Sequence, residues 1–194
     1  MKRILSIDGG GMRGILSVAI IEQMEKMTRE GGSILQVIDP DDPGFYNPDD
    51  MKVAFDAYFD RTGQSRPEKF GGYLLCAYDS LCFSFRYHIE RLEELSGKPI
   101  EVLHLVGGGS QSDYLNQRIA SICGRKVVSG PVEGATLGNI LIQALAMGRI
   151  ESLEEGRSLV KKCCPVKAYT PLSESGPTLD RYKKFLNLKQ KSNK

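Results

Sequence analysis

The chain has 194 residues, a formal net charge of +2 and a charged fraction of 26%. This composition is typical of a globular domain and excludes a disordered or collagen-like chain. A net charge so close to zero also argues against a dedicated nucleic-acid-binding protein, which would need a strongly basic surface.

The sequence shows neither a membrane segment nor a metal-binding pattern. Its apolar runs fall short of the ~20 residues that span a bilayer, and Asp8 interrupts any N-terminal signal peptide. The five cysteines form no C-x-x-C pair and the two histidines lie far apart, so we predict no metal site. Reduced thiols of this kind favour a cytoplasmic protein. From the near-neutral charge and the short apolar runs, we expect neither a nucleic-acid nor a membrane partner.

Residues 1–33 are predicted to form a strand, a glycine loop and a helix. The apolar run Ile4–Ile7 leads through Asp8 into the glycine-rich sequence Gly9–Gly14. Apolar residues at helical spacing then predict a helix over residues 15–28, and a glycine pair favours its end.

In residues 34–188, strand and helix patterns alternate, which favours the α/β class. Short apolar runs predict strands at Ile34–Ile38, Ile100–Val106 and Lys126–Ser129. Helices are predicted at Met51–Phe59, 68–96, 115–124 and Glu133–Met147. A further helix is predicted to begin at Ser152, which forms a capping box with Glu155, and a last helix to begin at Thr178. Residues 189–194 are expected to form a basic tail.

The longest of these patterns predicts which side of a helix is buried. Between Glu68 and Ser96, apolar residues recur at steps of three or four, which places them on one helical face. The residues of this face are Leu74, Tyr78, Leu81, Phe85, Ile89, Leu92 and Leu95.

The first glycine loop allows more than one interpretation. Gly9-x-Gly11-x-x-Gly14 formally matches the dinucleotide-binding fingerprint, but Asp8 would repel a pyrophosphate there. The stretch Ile4–Leu16 instead resembles the oxyanion-hole segment of patatin-like phospholipases, in which backbone amides stabilise an oxyanion. The residues of the implied oxyanion-hole-like site are Gly9, Gly10, Gly11 and Arg13.

The rest of a patatin-like active site is not recognisable. Such an enzyme needs a Gly-x-Ser-x-Gly nucleophile elbow, and no serine has glycine at both flanking positions: Ser110 has Gly108 before it but Ser112 after it. An oxyanion hole without a nucleophile cannot carry out acyl transfer. The segment could also correspond to the phosphate loop of a sugar kinase, although no hydroxyl residue supports this. A patatin-like acyl hydrolase remnant therefore stays an alternative, and we assign no catalytic residue.

A second glycine loop, Gly107–Gly109, follows the strand that contains His104. Glycines at such a corner permit a tight turn, and they let a phosphate or oxyanion approach backbone N–H groups. A simple turn between strand and helix is the structural alternative. We expect His104 itself to be a core histidine, because the sequence places no carboxylate or serine beside it.

Several ordered motifs surround this second loop. They are Asp39–Phe45, Asn47–Met51, Asp79–Leu81, Val102–Gln111, Tyr114–Gln117, Val128–Glu133, Thr136–Ile140 and Tyr169–Pro171. Together they resemble the C-terminal domain of the FGGY carbohydrate kinases, most closely the rhamnulokinase branch, over residues 34–188. The resemblance implies the C-terminal lobe of an actin-like, RNase H-like fold, with the strand, loop and helix of residues 1–33 placed before it.

The resemblance also implies a nucleotide site. The implied ATP-binding residues are Gly107, Gly108, Gly109, Gln111, Glu133 and Asn139. Asn116 and Gln117 match the helix after the loop, where they would hold the loop or contact the nucleotide. Two positions depart from the family: Ser112 stands where asparagine is usual, and Gly134 stands where alanine is usual.

The family phosphorylates sugars with ATP and Mg²⁺, and its rhamnulokinase branch acts on L-rhamnulose. In the family, the catalytic base, the Mg²⁺ ligands and the sugar pocket come from the N-terminal lobe, which the 33 residues before the match cannot supply. We therefore expect an ATP-binding lobe that is inactive alone and acts on a sugar only when that lobe is supplied. An exposed apolar cleft face would favour self-association. A non-catalytic truncated or fused gene product is the alternative.

Overall fold

The computed structural model describes residues 4–8, 26–27, 34–164, 166–173 and 176–192. Its strands are β1 (Ile4–Asp8), β2 (Val102–Val106), β3 (Lys126–Ser129) and β4 (Lys167–Tyr169). Its helices are α1 (Met51–Arg61), α2 (Phe70–Ser96), α3 (Asp113–Cys123), α4 (Gly134–Ala146), α5 (Leu153–Cys163) and α6 (Gly176–Ser192).

The four strands form one sheet in the order β1-β2-β3-β4. The first three are parallel, and β4 is antiparallel to β3. Asp8 at the end of β1 pairs with Val106 at the end of β2, so the segments after both strands start at the same edge of the sheet. Parallel strands joined by helices confirm the predicted α/β class.

One side of the sheet, here called the closed face, is covered by α2, α3 and α6. Leu103 and Leu105 of β2 and Val127 of β3 are buried on this face, because alternate residues of a strand point to the same side. They form one apolar cluster with side chains that include Phe83 of α2, Ile119 of α3 and Phe185 of α6. The opposite side, towards which His104 and Val106 point, is here called the open face.

An ion cluster ties the three helices of the closed face together. Asp79 of α2 is only 1% exposed and accepts two hydrogen bonds from Arg118 of α3, at 2.9 and 2.6 Å. Its other oxygen accepts a short hydrogen bond from Arg181 of α6, which also donates to the Gln36 carbonyl. A buried carboxylate is stable here because both of its oxygens are paired.

Residues 34–38 do not form the predicted strand. Their burial matches the apolar pattern, since Val37 and Ile38 are both buried, but their backbone pairs with side chains instead of a neighbouring strand. The hydrogen bonds are Val37 N–H to Gln64 Oε1 at 3.1 Å, Ile38 N–H to Ser80 Oγ at 3.0 Å, and Asp39 N–H to the Tyr58 hydroxyl at 2.9 Å. The prediction was wrong because an apolar run reports burial and not the hydrogen-bonding partner.

The predicted buried face of α2 holds as far as Ile89, which is 2% exposed, and fails in the last two turns of the helix. Leu92 is 43% exposed and Leu95 is 86% exposed, whereas Cys76 and Asp79 are buried. Two apolar clusters contact the first half of α2 from different sides, and they bury more than one helical stripe there. Gly97 ends the helix in the left-handed conformation, with φ of 64°, as its sequence position predicts.

Helix α6 continues into the segment predicted as a basic tail. It runs to Ser192, and Lys189 is buried against Asp39 at 2.8 Å and Asp41 at 2.5 Å. The predicted domain boundary at residues 33 and 34 stays a prediction. None of the helices in the described part of the chain is both long and apolar enough to cross a bilayer.

Candidate functional site

The second glycine loop connects β2 to α3. Gly107 has φ of 82°, a conformation that residues with a Cβ rarely adopt, so glycine is required at this corner. Residues Gly108–Gln111 then form one 3-10 turn. Ser112 caps the helix that follows, because its hydroxyl accepts a hydrogen bond from the Leu115 N–H at 3.1 Å.

The carbonyl groups of this loop are held by protein donors. The Ser110 N–H and hydroxyl both donate to the Gly107 carbonyl, at 3.1 and 2.7 Å. The Ser112 N–H donates to the Gly109 carbonyl at 3.3 Å. The Ser110 carbonyl in turn accepts a hydrogen bond from the Asn116 side chain at 2.8 Å.

The first amide groups of the loop are available to a ligand. The N–H groups of Gly108 and Gly109 stand at the start of the turn, where the turn itself offers no acceptor, and no described residue outside the turn accepts a hydrogen bond from them. A Cβ added to Gly109 would meet nothing within 4 Å, so the space beside this residue is open. Two adjacent N–H groups, one of them beside open space at Gly109, are a suitable cradle for an anion.

An acidic residue close to the loop, Asp113, is paired with a lysine. Asp113, in the first turn of α3, accepts hydrogen bonds from Lys167 at 2.9 Å and from the Tyr169 hydroxyl at 2.6 Å. These two hydrogen bonds lower the pKa of Asp113, so it is ionised at neutral pH. The ion pair with Lys167 offsets the repulsion that Asp113 would otherwise exert on an anion at the loop.

A groove of about 810 Å³ opens on the open face of the sheet, starting at the residue before the loop. We call it the α4–α5 groove. It is lined by His104, Val106, Gly130, Pro131, Gly134, Leu137, Gly138, Leu141, Arg157, Val160, Lys161 and Val166. Most of this lining is apolar or glycine, and two cations of α5 stand among it.

Helix α4 forms one wall of this groove, and two of the residues that line it are glycines. Gly134 and Gly138 are one helical turn apart and both line the groove. A Cβ on Gly134 would lie 3.5 Å from the Val106 Cβ, in ordinary contact, so the alanine that is usual in the FGGY family would also fit.

The sequence predicted that His104 is a core histidine, but the structure places it outside the core. It is half-buried and lines the α4–α5 groove. Burial lowers the pKa of His104, and the nearby charge of Lys161 lowers it further, so the ring is neutral at pH 7. No carboxylate is among the described residues that line the groove.

The structure brings together some of the predicted site residues and separates others. Gly107, Gly108, Gly109 and Gln111 form a single turn at the end of β2. Glu133 precedes α4, Asn139 lies on α4, and both are exposed and outside the groove lining. The residues of the predicted oxyanion-hole-like site, which lie outside the described part of the chain, are Gly9, Gly10, Gly11 and Arg13.

Sequence reasoning missed how the groove is built. The open face beside His104 and the cations Arg157 and Lys161 were not predicted to share a site. The spacing of Gly134 and Gly138 was a signal that could have indicated it, because small residues one turn apart leave room on one side of a helix.

Comparison with known proteins places these features in a family. The profile described as "FGGY family of carbohydrate kinases, C-terminal domain" matches residues 20–147. Rhamnulokinase of Bacteroides thetaiotaomicron is 42% identical over 135 residues, which are 70% of this chain and 28% of the relative. Rhamnulokinase of Bacillus subtilis is 33% identical over 150 residues, which are 77% of this chain and 31% of the relative.

Solved structures show the same fold. A glycerol kinase of Plasmodium falciparum with ADP superposes with a TM-score of 0.61 at 15% identity, covering 89% of this chain and 33% of that one. A xylulose kinase from Rhodospirillum rubrum has a TM-score of 0.54 at 16% identity, covering 91% of this chain and 35% of that one. The predicted resemblance to this kinase fold is confirmed, whereas the likeness of Ile4–Leu16 to patatin-like phospholipases gains no support.

Proposed function

The chain belongs to the FGGY family of carbohydrate kinases, and we propose that it forms the ATP-binding lobe of a rhamnulokinase-like enzyme. It spans between 28% and 31% of the length of the two curated relatives described above. The activity, the sugar and the partners of the whole enzyme are therefore part of the proposal.

One observation carries this function: a loop with two open amide groups stands at the end of β2, beside the α4–α5 groove. The N–H groups of Gly108 and Gly109 suit the phosphates of a nucleotide. The apolar part of the groove, around Val106 and Leu137, suits a purine base, and the groove volume falls within the range of small-molecule sites. Gln111 adds a polar side chain at the exposed end of the loop. Glu133, which precedes α4, and Asn139 of α4 lie outside the groove lining, and we propose that they contact the part of the ligand that extends beyond the groove.

The lobe supplies nucleotide binding and not the whole reaction. Transfer of a phosphoryl group from ATP to L-rhamnulose needs a base that accepts the proton of the sugar hydroxyl, together with Mg²⁺. Among the described residues, no carboxylate lines the groove, and no group of three or more His, Cys, Asp or Glu could hold a metal ion. We propose that the base and the Mg²⁺ ligands belong to an N-terminal lobe, and that this lobe must be present for sugar phosphorylation.

Two further parts of the proposal concern the cellular location of the protein and its self-association. The five cysteines are free thiols, which favours a cytoplasmic location. Helix α4 has no charged and no fully buried residue, so this apolar surface is proposed to associate with another copy of the chain when no N-terminal lobe covers it.

The test is a calorimetric titration of the chain with ADP and with ATP, in Mg²⁺ buffer. We expect wild-type protein to bind, and Gly109→Ala to bind about tenfold more weakly, because the added methyl group enters the space beside the open amides. Gly176→Ala is the matched control: its Cβ would also meet nothing within 4 Å, but it lies on α6. Absence of binding to wild-type protein, or equal loss in the control, would overturn the proposal.

A coupled assay tests the division of labour between lobes. We expect no sugar-dependent ADP production from the chain alone with L-rhamnulose. Turnover above the buffer blank that follows sugar concentration would show that the chain contains its own base, and the two-lobe proposal would be wrong.

A further inference from the structure

Asn116 of α3 is a fully buried polar residue beside the glycine loop. It is 0% exposed, and its neighbours Leu115 and Ile119 belong to the apolar cluster of the closed face. A buried amide is favourable only when both its N–H₂ group and its oxygen have hydrogen-bonding partners.

Only half of this requirement is met. The Asn116 Nδ2 donates to the Ser110 carbonyl at 2.8 Å. Its Oδ1 has no partner, and it is the one buried side-chain oxygen or nitrogen in the described part of the chain that lacks one. The fold therefore contains a buried acceptor that a purely structural side chain at this position would not have left unpaired.

A second buried amide in the same protein shows the contrast. Gln64 accepts a hydrogen bond from the Val37 N–H at 3.1 Å, and it donates to the Val37 carbonyl and to the Thr62 hydroxyl, both at 2.8 Å. This side chain uses both of its ends to hold a connecting segment. Asn116 uses only its donor, and it uses that donor on the glycine loop.

The hydrogen bond from Asn116 is the first of a series that shapes the loop. It fixes the Ser110 carbonyl, and Ser110 in turn donates to the Gly107 carbonyl through both its N–H and its hydroxyl. Both ends of the turn are thereby held with their carbonyls towards protein donors. Because the Gly107 carbonyl faces Ser110, the planar peptide bond directs the Gly108 N–H away from Ser110.

We infer that Asn116 is a positioning residue, which holds the Gly107–Gln111 loop in its ligand-ready shape at a cost to the stability of the fold. The purpose of the loop rests on the proposed function, but the geometry of Asn116 does not. An apolar residue of the same size would suit the closed face better, and it would release the loop.

The test is Asn116→Leu, which keeps the branched shape of the side chain and removes both polar groups. We expect a melting temperature equal to or above that of wild-type protein. The Ser110 and Ser112 amides, which are hydrogen-bonded within the loop, should exchange with deuterium about tenfold faster by NMR. Affinity for MgADP should fall about tenfold.

Three further variants separate positioning from general stability. Asn116→Asp keeps the acceptor, and its ionised form cannot donate to the Ser110 carbonyl, so at a pH above the pKa of the new carboxyl it should release the loop and also lower the melting temperature. Ser110→Ala removes one bond to Gly107 and should release the loop from its other side. Gln64→Leu, at the fully paired amide, should lower the melting temperature and leave loop exchange unchanged.

Each outcome decides the inference. A fall in melting temperature or loss of folding in Asn116→Leu would overturn it, because the amide would then serve the fold itself. Unchanged loop exchange in Asn116→Leu would overturn it as well. If loop exchange rises as expected but wild-type protein binds no nucleotide, the positioning role stands and the proposed function fails.

Discussion

The two faces of the sheet differ in how deeply their helices are buried. On the closed face, α3 buries seven of its 11 residues, and the buried charge of Asp79 is paired from two other helices. On the open face, the 13-residue helix α4 has no buried residue, although it carries no charged side chain. Within the described residues, the core is therefore complete on the closed face, whereas α4 on the open face stays exposed.

The largest effect is expected from breaking the closed face. In Asp79→Ala, the buried Arg181 and its neighbour Arg118 lose their anion, which should lower the free energy of unfolding by about 3–5 kcal/mol. Urea unfolding measures this loss. Asp180→Ala is the control, because its ion pair with Lys183 is 75% exposed on both sides and should contribute almost nothing. A loss at Asp79 no larger than that at Asp180 would contradict the structure of the cluster.

Sequence patterns predicted the strands and helices of both faces better than they predicted the hydrogen bonds between side chains of different elements. The strand β3 and the helix end at Gly124 follow from an apolar run and a glycine stop. The segment 34–38 was assigned to a strand, because its burial is visible in sequence but its side-chain partners are not. A bond such as that from Arg181 to Asp79 joins residues 102 positions apart, and no local pattern indicates it.

The same distinction applies to the candidate site. The glycine loop was predicted from sequence because a tight turn at Gly107 needs a glycine. The family resemblance implied two alternative roles for Asn116, holding the loop or contacting the nucleotide. The sequence could not decide between them, since the answer depends on which backbone carbonyl the side chain reaches. The position of His104 on the open face depends likewise on which side of β2 the helices cover.

A smaller effect is expected from changing the open face. We predict that the wild-type chain self-associates, and that Ile140→Lys combined with Ile142→Lys weakens this association about tenfold or more. Both isoleucines are 55% exposed, so the free energy of unfolding of the isolated lobe should change little. Sedimentation velocity measures the association.

The control for this prediction lies on α2. Leu95 is 86% exposed and stands near the end of that helix, so Leu95→Lys should leave association unchanged. A wild-type chain that sediments as a monodisperse monomer would show that α4 needs no cover, and the contrast between the two faces would lose its meaning.

The smallest effect concerns His104 on the open face. Burial and the charge of Lys161 lower its pKa in the folded state, so the unfolded chain binds the proton more readily. The stability contributed by the neutral ring is therefore complete above pH 6.5 and is lost as the pH falls through 6.5 towards the folded-state pKa. An NMR titration of the His104 ring measures this pKa. Lys161→Met should raise the pKa of His104, whereas Lys162→Met, at a neighbouring lysine outside the groove lining, should not. A ring that titrates above 6.5 would contradict the prediction, because it would place His104 in contact with water or an anion instead of the apolar groove.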